Sequence, residues 1–482
     1  MIRRMFARPP RYSPFERKRR TVSRIALYAS ALAVAGLAFA FVSLLERPLR
    51  RLASERLDTR DYLRLPAVEE LRRYVQIDTT DATGDEVAGA RFLAGELAAA
   101  GIPSHIERMG PKKANLWAVL EGQDPRAIVL HHHIDVEDIH PDEKWFAPPF
   151  AAEVEMPWVY GRGTFDMKSV AIAQLRALIA LKKSGKPLKR SVIFLGTSGE
   201  ESGSDLGVRW LLAQRPELAS RFGLVLTEGG FLEARTRDDI KYWGIEVGQK
   251  HYVDLYVCGP DREPLNQIHD FLAAAQGEAV GLRLLPEVRD YMKRYAPSRD
   301  HPWLRGALAD PDAIVNESAI FSKLPRYLKG FFRDEALPLD VEDDPGGGYR
   351  MRVILHLLRD TSIDEAFPRL VPPGLLHGLA YRISDPSGPS VPSPADSADF
   401  RTIRQTLADS YPQARIGPAL LPWTATDARF FRAAGIPAYG LSPFLILSTD
   451  TLQVDNANER MALPGFVDGV ELYETILRRL AL

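Results

Sequence analysis

The chain has 482 residues, 62 Lys+Arg against 63 Asp+Glu for a formal charge of −1, 45% apolar residues and a single cysteine, Cys258. The balanced charge argues against a general nucleic-acid binder, and the apolar content with only 26% charged residues argues against a disordered chain. At roughly 100–200 residues per domain the length predicts two or three folded units, and one cysteine leaves only His and carboxylates as strong ligands for any metal chemistry.

The balance conceals two unlike parts. The first 24 residues carry nine basic side chains and one acid, Glu16, and residues 25–45 form an uncharged run of 21 residues. At about 1.5 Å per residue that run spans roughly 30 Å, the thickness of a bilayer's hydrocarbon core. The pattern predicts a basic cytoplasmic tail over 1–24 and a single transmembrane helix over 25–45. By the positive-inside rule, everything beyond lies on the non-cytoplasmic side, whether periplasmic, extracellular or lumenal. Ala38-Phe39-Ala40 offers small residues for cleavage, so removal as a signal peptide stays open, although 21 residues exceed the usual ~7–15 of a signal core.

A charged, helix-prone stalk follows over 46–60. Helical periodicity then covers 68–75, 86–100 and 167–182, and short buried strands cover 127–130 and 191–195, an alternation typical of an α/β sheet with helices on its faces. Near Gly248 the texture changes. Residues 251–259 (HYVDLYVCG) alternate like an antiparallel strand, 349–358 (YRMRVILHLL) form another, and a Pro/Ser/Asp-rich linker precedes a return of α/β character at Phe400. This layout predicts an α/β catalytic domain over 61–245 and 393–482, interrupted at 246–392 by a smaller α+β unit.

Three segments carry chemistry. In LHHHIDVED the period of a strand puts His131, His133 and Asp135 on one face, a metal-ligand pattern in which the Asp holds the imidazole, or an ordinary polar surface. In WVYGRGTFDMKS, Asp166 is either the N-cap of the following helix or a carboxylate at a strand's carboxyl end, where open α/β sheets place ligands. Gly161 and Gly163 imitate the start of a dinucleotide fingerprint, but Asp166 stands where the third Gly belongs. In IFLGTSGEES, Glu200 and Glu201 are either a solvated pair or one metal ligand beside one proton carrier. There is no G-x-S-x-G, H-E-x-x-H or Walker motif.

With HHHIDV, WFAPPFAAEVEMPWVYGRGTFDMKS, GTSGEES, LTEGG, TDARFFRAAGIPAYGLSP and NER in this order, the chain resembles the di-zinc aminoacylase/carboxypeptidase metallohydrolases. These include acetylornithine deacetylase, succinyl-diaminopimelate desuccinylase, carnosinase and carboxypeptidase S, and the resemblance spans about residues 60–245 and 395–482. The EGG element and the apolar segment bring it nearest the carboxypeptidase S and N-acyl-amino-acid hydrolase branch. The resemblance implies a phosphorylase/hydrolase-like catalytic domain with a mixed sheet and an insertion acting as a lid or dimerisation domain, hence a homodimer. It implies two zinc ions, with His133 a ligand of one, Asp135 orienting it, Asp166 bridging both, Glu201 on the second and Glu200 as general base. The implied activity is hydrolysis of the amide bond of peptides or N-acyl amino acids. A non-catalytic metal- or ligand-binding relative on a membrane stalk is the alternative.

The chain departs from that pattern at three places. Thr227 stands where this branch has a ligand Asp, leaving Glu228 to reach in. Asp455 replaces the last ligand His, so the second site, Asp166, Glu201 and Asp455, holds only oxygen donors and is expected to be weaker for Zn and open to harder ions such as Mn or Mg, with Co also in question. The lid's H-S-S-x-P histidine is missing. Asp261 and Arg262 occupy its region, and His269 lies further along.

Overall fold

The computed structural model describes residues 59–275, 281–383, 388–389 and 391–482. The expected tail, transmembrane run and nearly all of the stalk lie outside the described residues. Among those described, no helix is long and apolar enough to cross a membrane.

In chain order the first strands are β1 (Ser104–Arg108), β2 (Ala114–Leu120), β3 (Asp124–His133), β4 (Glu153–Glu155), β5 (Trp158–Tyr160), β6 (Arg190–Thr197), β7 (Phe222–Thr227), β8 (Phe231–Ala234) and β9 (Ile240–Gln249). The later ones are β10 (His251–Gly259), β11 (Glu335–Asp343), β12 (Tyr349–Leu357), β13 (Ala380–Ile383), β14 (Ile416–Leu421), β15 (Ala438–Gly440) and β16 (Arg460–Ala462). The helices that matter for the site are α1 (Pro66–Val75), α2 (Glu86–Ala99), α3 (Lys168–Lys183), α4 (Arg262–Ala275), α5 (Pro286–Tyr295), α6 (Ala398–Ser410), α7 (Ala428–Ala433) and α8 (Leu463–Ala481).

The large sheet runs β1-β2-β6-β3-β7-β15-β9-β14, with β8 paired to β9. It is mixed, as expected. β3 lies parallel to both β6 and β7, and β15 parallel to β7, while β2 and β6 are antiparallel. Its central strands read as continuous apolar runs because both faces are covered. Ile128, Leu130, Val192 and Phe194 pack with α3 and α8 in one cluster, while the alternating Ala127, Val129, Ile193 and Leu195 pack with Val208, Leu211, Phe430 and Phe431 in another. Local signals set the helix ends. Asp85 caps α2 by accepting from the Ala88 amide at 2.9 Å, and Arg478 and Arg479 occupy the last turn of α8, where the helix dipole favours cations.

A second, antiparallel sheet, β11-β12-β10-β13, carries the changed texture. Val253, Leu255 and Val257 of β10 and Met351, Val353 and Leu355 of β12 bury one face beneath Leu265, Ile268 and Leu272 of α4. The residues between them face the other way. The expected domain boundary at 245/246 falls inside β9, which continues to Gln249 in the large sheet and pairs with β14. Within the 246–392 interval, Tyr291, Tyr295, Phe321 and Phe332 join the core of the large sheet and not that of the small one. Aromatic side chains bury large areas, and here they find them against Tyr242 of β9, whose ring centroid is 5.0 Å from that of Tyr295.

Gln174 of α3 ties these layers together. It is fully buried, its Oε1 is 2.9 Å from His132 Nδ1, and its Nε2 donates to the His131 carbonyl at 2.8 Å and to the Tyr473 hydroxyl of α8 at 3.1 Å. Burial holds His132 as the neutral imidazole, pushed down to about 3 although its bond to Gln174 opposes the shift. Gln174→Leu keeps the volume but strands these partners. It should lower the midpoint of urea unfolding by an amount corresponding to about 1–3 kcal/mol.

Candidate metal centre

The parallel strands β3, β6 and β7 end side by side. His133 is opposite Thr197, so the loops leaving their carboxyl ends open into one crevice, where α/β sheets bind ligands. His133 ends β3, Glu200 and Glu201 follow β6, and Glu228 follows β7. Asp166 arrives from the loop before α3 and Asp455 from the loop before β16.

His133 is buried, with Nε2 3.0 Å from Asp166 Oδ1 and 3.7 Å from Glu228 Oε2. Single donor atoms of His133, Asp166 and Glu201, and likewise of His133, Glu200 and Glu228, lie within 4.8 Å of one another. Asp455 faces the same cleft with φ +55°, a left-handed conformation that Asp tolerates better than most residues.

Several expectations change in detail. Asp166 is not a helix cap, because α3 starts from Met167 without any side-chain cap, and this leaves the carboxylate free to face His133. His131 shares a strand face with His133 but sits in the core, bonded at Nδ1 to Thr227 Oγ1 (2.8 Å) and at Nε2 to Thr197 Oγ1 (2.9 Å). Burial holds it far below the ordinary histidine range and therefore neutral. Thr227 is thus spent inside, and its neighbour Glu228 points into the cleft. The His133 Nδ1 lies 2.9 Å from the backbone carbonyl of Asp135 and 3.7 Å from its carboxylate. Asp135 Oδ2 accepts instead from the Glu201 amide at 3.0 Å, holding the Glu200-Glu201 turn. Neither Arg262 nor His269 reaches the cleft: Arg262 donates to the Val341 carbonyl at 2.7 Å, and His269 pairs with Asp270 on α4.

The electrostatics are those of a cluster short of positive charge. Burial, then the charge of Glu228, drives Glu200 well above the carboxylate range, and burial followed by Asp166 does the same to Glu201. Burial and then Asp166 push Glu228 up to about 8 and Asp455 up to about 9. Asp166 alone is lowered: burial pushes it up, but its hydrogen bond to His133, the His133 charge and the contributions of Glu228 and Arg162 together outweigh that burial. Buried oxygens of Asp135, Glu201 and Asp455 have no hydrogen-bond partner among the described residues. Orphaned carboxylate oxygens around one imidazole are the donor set of a divalent-cation site, so these residues fit a metal.

Glu459, seen in the sequence only as part of NER, holds the Asp166 loop in place. It accepts from the amides of Phe165 (2.7 Å), Asp166 (3.1 Å) and Gly163 (3.1 Å) and pairs with buried Arg162 at 3.1 Å. The cleft above the centre measures about 900 Å³. One wall is the open face of the small sheet, with Tyr252, Asp254, Arg352 and His356, and Arg429 of α7 also lines it. Arg352 grips Asp254 through two bonds, at 2.8 and 3.0 Å, and burial pushes His356 down to about 4, keeping it neutral. No local motif in the sequence marks these residues. Alternation in 349–358 groups Arg352, Ile354 and His356 on one face, but it carries no information on what that face meets.

Zinc added to the metal-stripped protein should raise its melting temperature, by the equivalent of about 2.7 kcal/mol at a hundred times the dissociation constant. Asp166→Asn should lose most of that gain in the same thermal scan.

Residues 129–479 match peptidase family M20/M25/M40. Aminoacylase-1A of Rattus norvegicus is 25% identical over 429 residues, covering 86% of this chain and 95% of its own length. The fold is similar to that of the M20 family metallo-carboxypeptidase Sso-CP2 from Sulfolobus solfataricus (TM-score 0.64, 16% identity, 86% and 99% of the two chains). It is also similar to that of human carnosine dipeptidase 1 (TM-score 0.61, 14% identity, 86% and 96%). The family match across most of the chain, together with the aminoacylase relatives, leads to one conclusion: this chain belongs to peptidase family M20/M25/M40 and is an enzyme of the metallopeptidase/amidohydrolase class.

Proposed function

We propose that the chain is a membrane-anchored hydrolase that cleaves the amide bond of peptides or N-acyl amino acids, with Glu200 as its proton carrier. The observation that carries this reading is the placement of Glu200. Its carboxylate lies among the donor atoms of His133 and Glu228, at the floor of the 900 Å³ cleft.

In this reading His133, Asp166 and Glu228 would hold one ion, and Glu201 and Asp455, with Asp166 beside them, would hold the other. Divalent cations bound there would supply electrophilic polarisation of the carbonyl and of the attacking water. Glu200 takes one proton from that water at a carboxylate oxygen and delivers it to the nitrogen of the departing amine, so that water and amide become acid and amine. Burial and like-charged neighbours raise the proton affinity of Glu200, which suits a group that must both accept and donate. Asp135 positions: its carbonyl fixes the His133 ring and its carboxylate fixes the Glu201 amide. The walls accept substrate between the aromatic Tyr252 of the small sheet and Phe231 of β8 with Phe444 in the loop after β15.

The anchor rests on the +8 charge of residues 1–24 beside the apolar run 25–45, which puts the catalytic layer outside the cytoplasm. A homodimer through the small sheet belongs to the same reading, supported by resemblance.

Full-length protein loaded with Zn, Mn or Co is assayed against dipeptides and N-acyl amino acids. Glu200→Gln should lower kcat by about 10²–10⁴-fold with its metal content unchanged. An equally active variant would sink the assignment of Glu200. A zinc titration by calorimetry should show two unequal affinities, because the second site offers oxygen alone. Asp455→His should narrow that gap, and two equally tight ions in the unaltered protein would refute the assignment of Asp455.

A further inference from the structure

The large sheet borders a second cavity, and none of the residues lining it lines the catalytic cleft. It measures about 560 Å³ and lies between the end of α5, the first turns of α6 and the start of β14. Its floor includes Tyr242, Phe400 and Gly417. The Tyr242 hydroxyl donates to the Pro418 carbonyl at 2.8 Å, and a Cβ on Gly417 would come within 2.4 Å of that hydroxyl, so the floor is close-packed.

Four arginines line this cavity, Arg294, Arg401, Arg404 and Arg415, against one carboxylate, Asp396. Arg294 is tied to Asp290 at 2.7 Å, and Arg401 donates to the backbone carbonyl of Asp396. Arg404 and Arg415 are exposed and have no ion-pair partner among the described residues. The lining residues sum to a formal +3, and Asp290, paired with Arg294 just outside the lining, brings the group to +2. The surrounding chain makes this unusual, because residues 59–482 hold 49 basic and 59 acidic side chains, a formal −10. Gathering like charges around a concave surface costs energy unless an anion offsets it, and such a surface concentrates its field on whatever enters.

The side chains narrow the anion further. All four cations are guanidinium groups, whose planar forks match oxyanions in paired hydrogen bonds where a Lys offers only a point charge. A carboxylate brings two oxygens and one charge, enough for one fork. A phosphate monoester brings three terminal oxygens and about −1.5 to −2 charges, enough for several forks around one centre. We propose that this cavity binds a phosphate group, carried either by a free small molecule or by a phospholipid headgroup.

The test compares the full-length, metal-stripped protein with Arg404→Gln/Arg415→Gln in one detergent buffer. Calorimetry uses two probes: inorganic phosphate, and a short-chain phosphatidate for the headgroup. Both substituted residues are exposed, so equal melting temperatures without ligand are expected, and amide hydrolysis by the metal-loaded variant should be unchanged. Removing two forks should weaken binding on the order of tenfold or more. Loss of phosphate binding in the variant identifies a free-anion site. Binding of phosphatidate alone, lost in the variant, identifies a headgroup site. No binding of either probe, or equal affinity in both proteins, overturns the proposal.

Discussion

Four carboxylates, Asp166, Glu200, Glu201 and Glu228, crowd around His133, with Asp455 lining the same cleft within the field of Asp166, and their mutual repulsion is what the surrounding structure must contain. At an effective dielectric of about 20, two unit charges 4 Å apart cost about 4 kcal/mol, so the group cannot stay fully ionised without protons or cations. Burial first, and then the charge of Asp166, push Glu228 up to about 8 and Asp455 up to about 9, so that repulsion adds to a desolvation cost already present. Flexible loops would relieve it by swinging the carboxylates into water. Here the loops are held. Glu459 accepts three amides of the segment carrying Asp166, and Asp135 accepts the amide of Glu201. Beneath them Gln174 joins β3 to α3 and α8.

The same frame explains why the neighbouring histidines differ. His131, His132 and His133 are consecutive and all buried. His131 meets two threonine hydroxyls and His132 meets Gln174, so burial leaves both neutral. His131 has one carboxylate near it, Asp427 at 3.5 Å, yet burial still keeps it neutral, whereas hydrogen bonds to Asp166 and Glu228 raise His133 well above the ordinary range in spite of its burial. Three identical side chains thus take three roles through their partners. The small sheet works by a similar division, with Val253, Leu255 and Val257 closing a core while Tyr252, Asp254 and Tyr256 face the cleft.

Much of this was legible along the chain. The strands around His133 and Glu200 showed as apolar runs because they are buried on both faces, and β10 showed as an alternation because it is buried on one. Glu228, the residue that could reach in where Thr227 stands, lines the cleft, and so does Asp455. Other features were not legible. The helix-cap reading of Asp166 was locally sound and was overridden by contact with a histidine 33 residues away. Tyr291 and Phe332 lie inside the predicted insertion yet pack on the large sheet, because no local pattern states which core an apolar face will join.

The sequence by itself determined the order of elements, the supply of His and carboxylate ligands with one cysteine, and the family resemblance, since periodicity and motif spacing are properties of neighbouring residues. Only the tertiary structure decided that Asp135 acts through its carbonyl as well as its carboxylate, and that Glu459 fixes the Asp166 loop. It alone placed Arg352 and His356 on the cleft wall, and it brought Arg294, Arg401, Arg404 and Arg415 around one cavity. The physical reason is distance along the chain. Hydrogen bonds and charges act over a few ångströms of space, and folding brings within that range groups such as Asp166 and Glu459 that stand 293 residues apart.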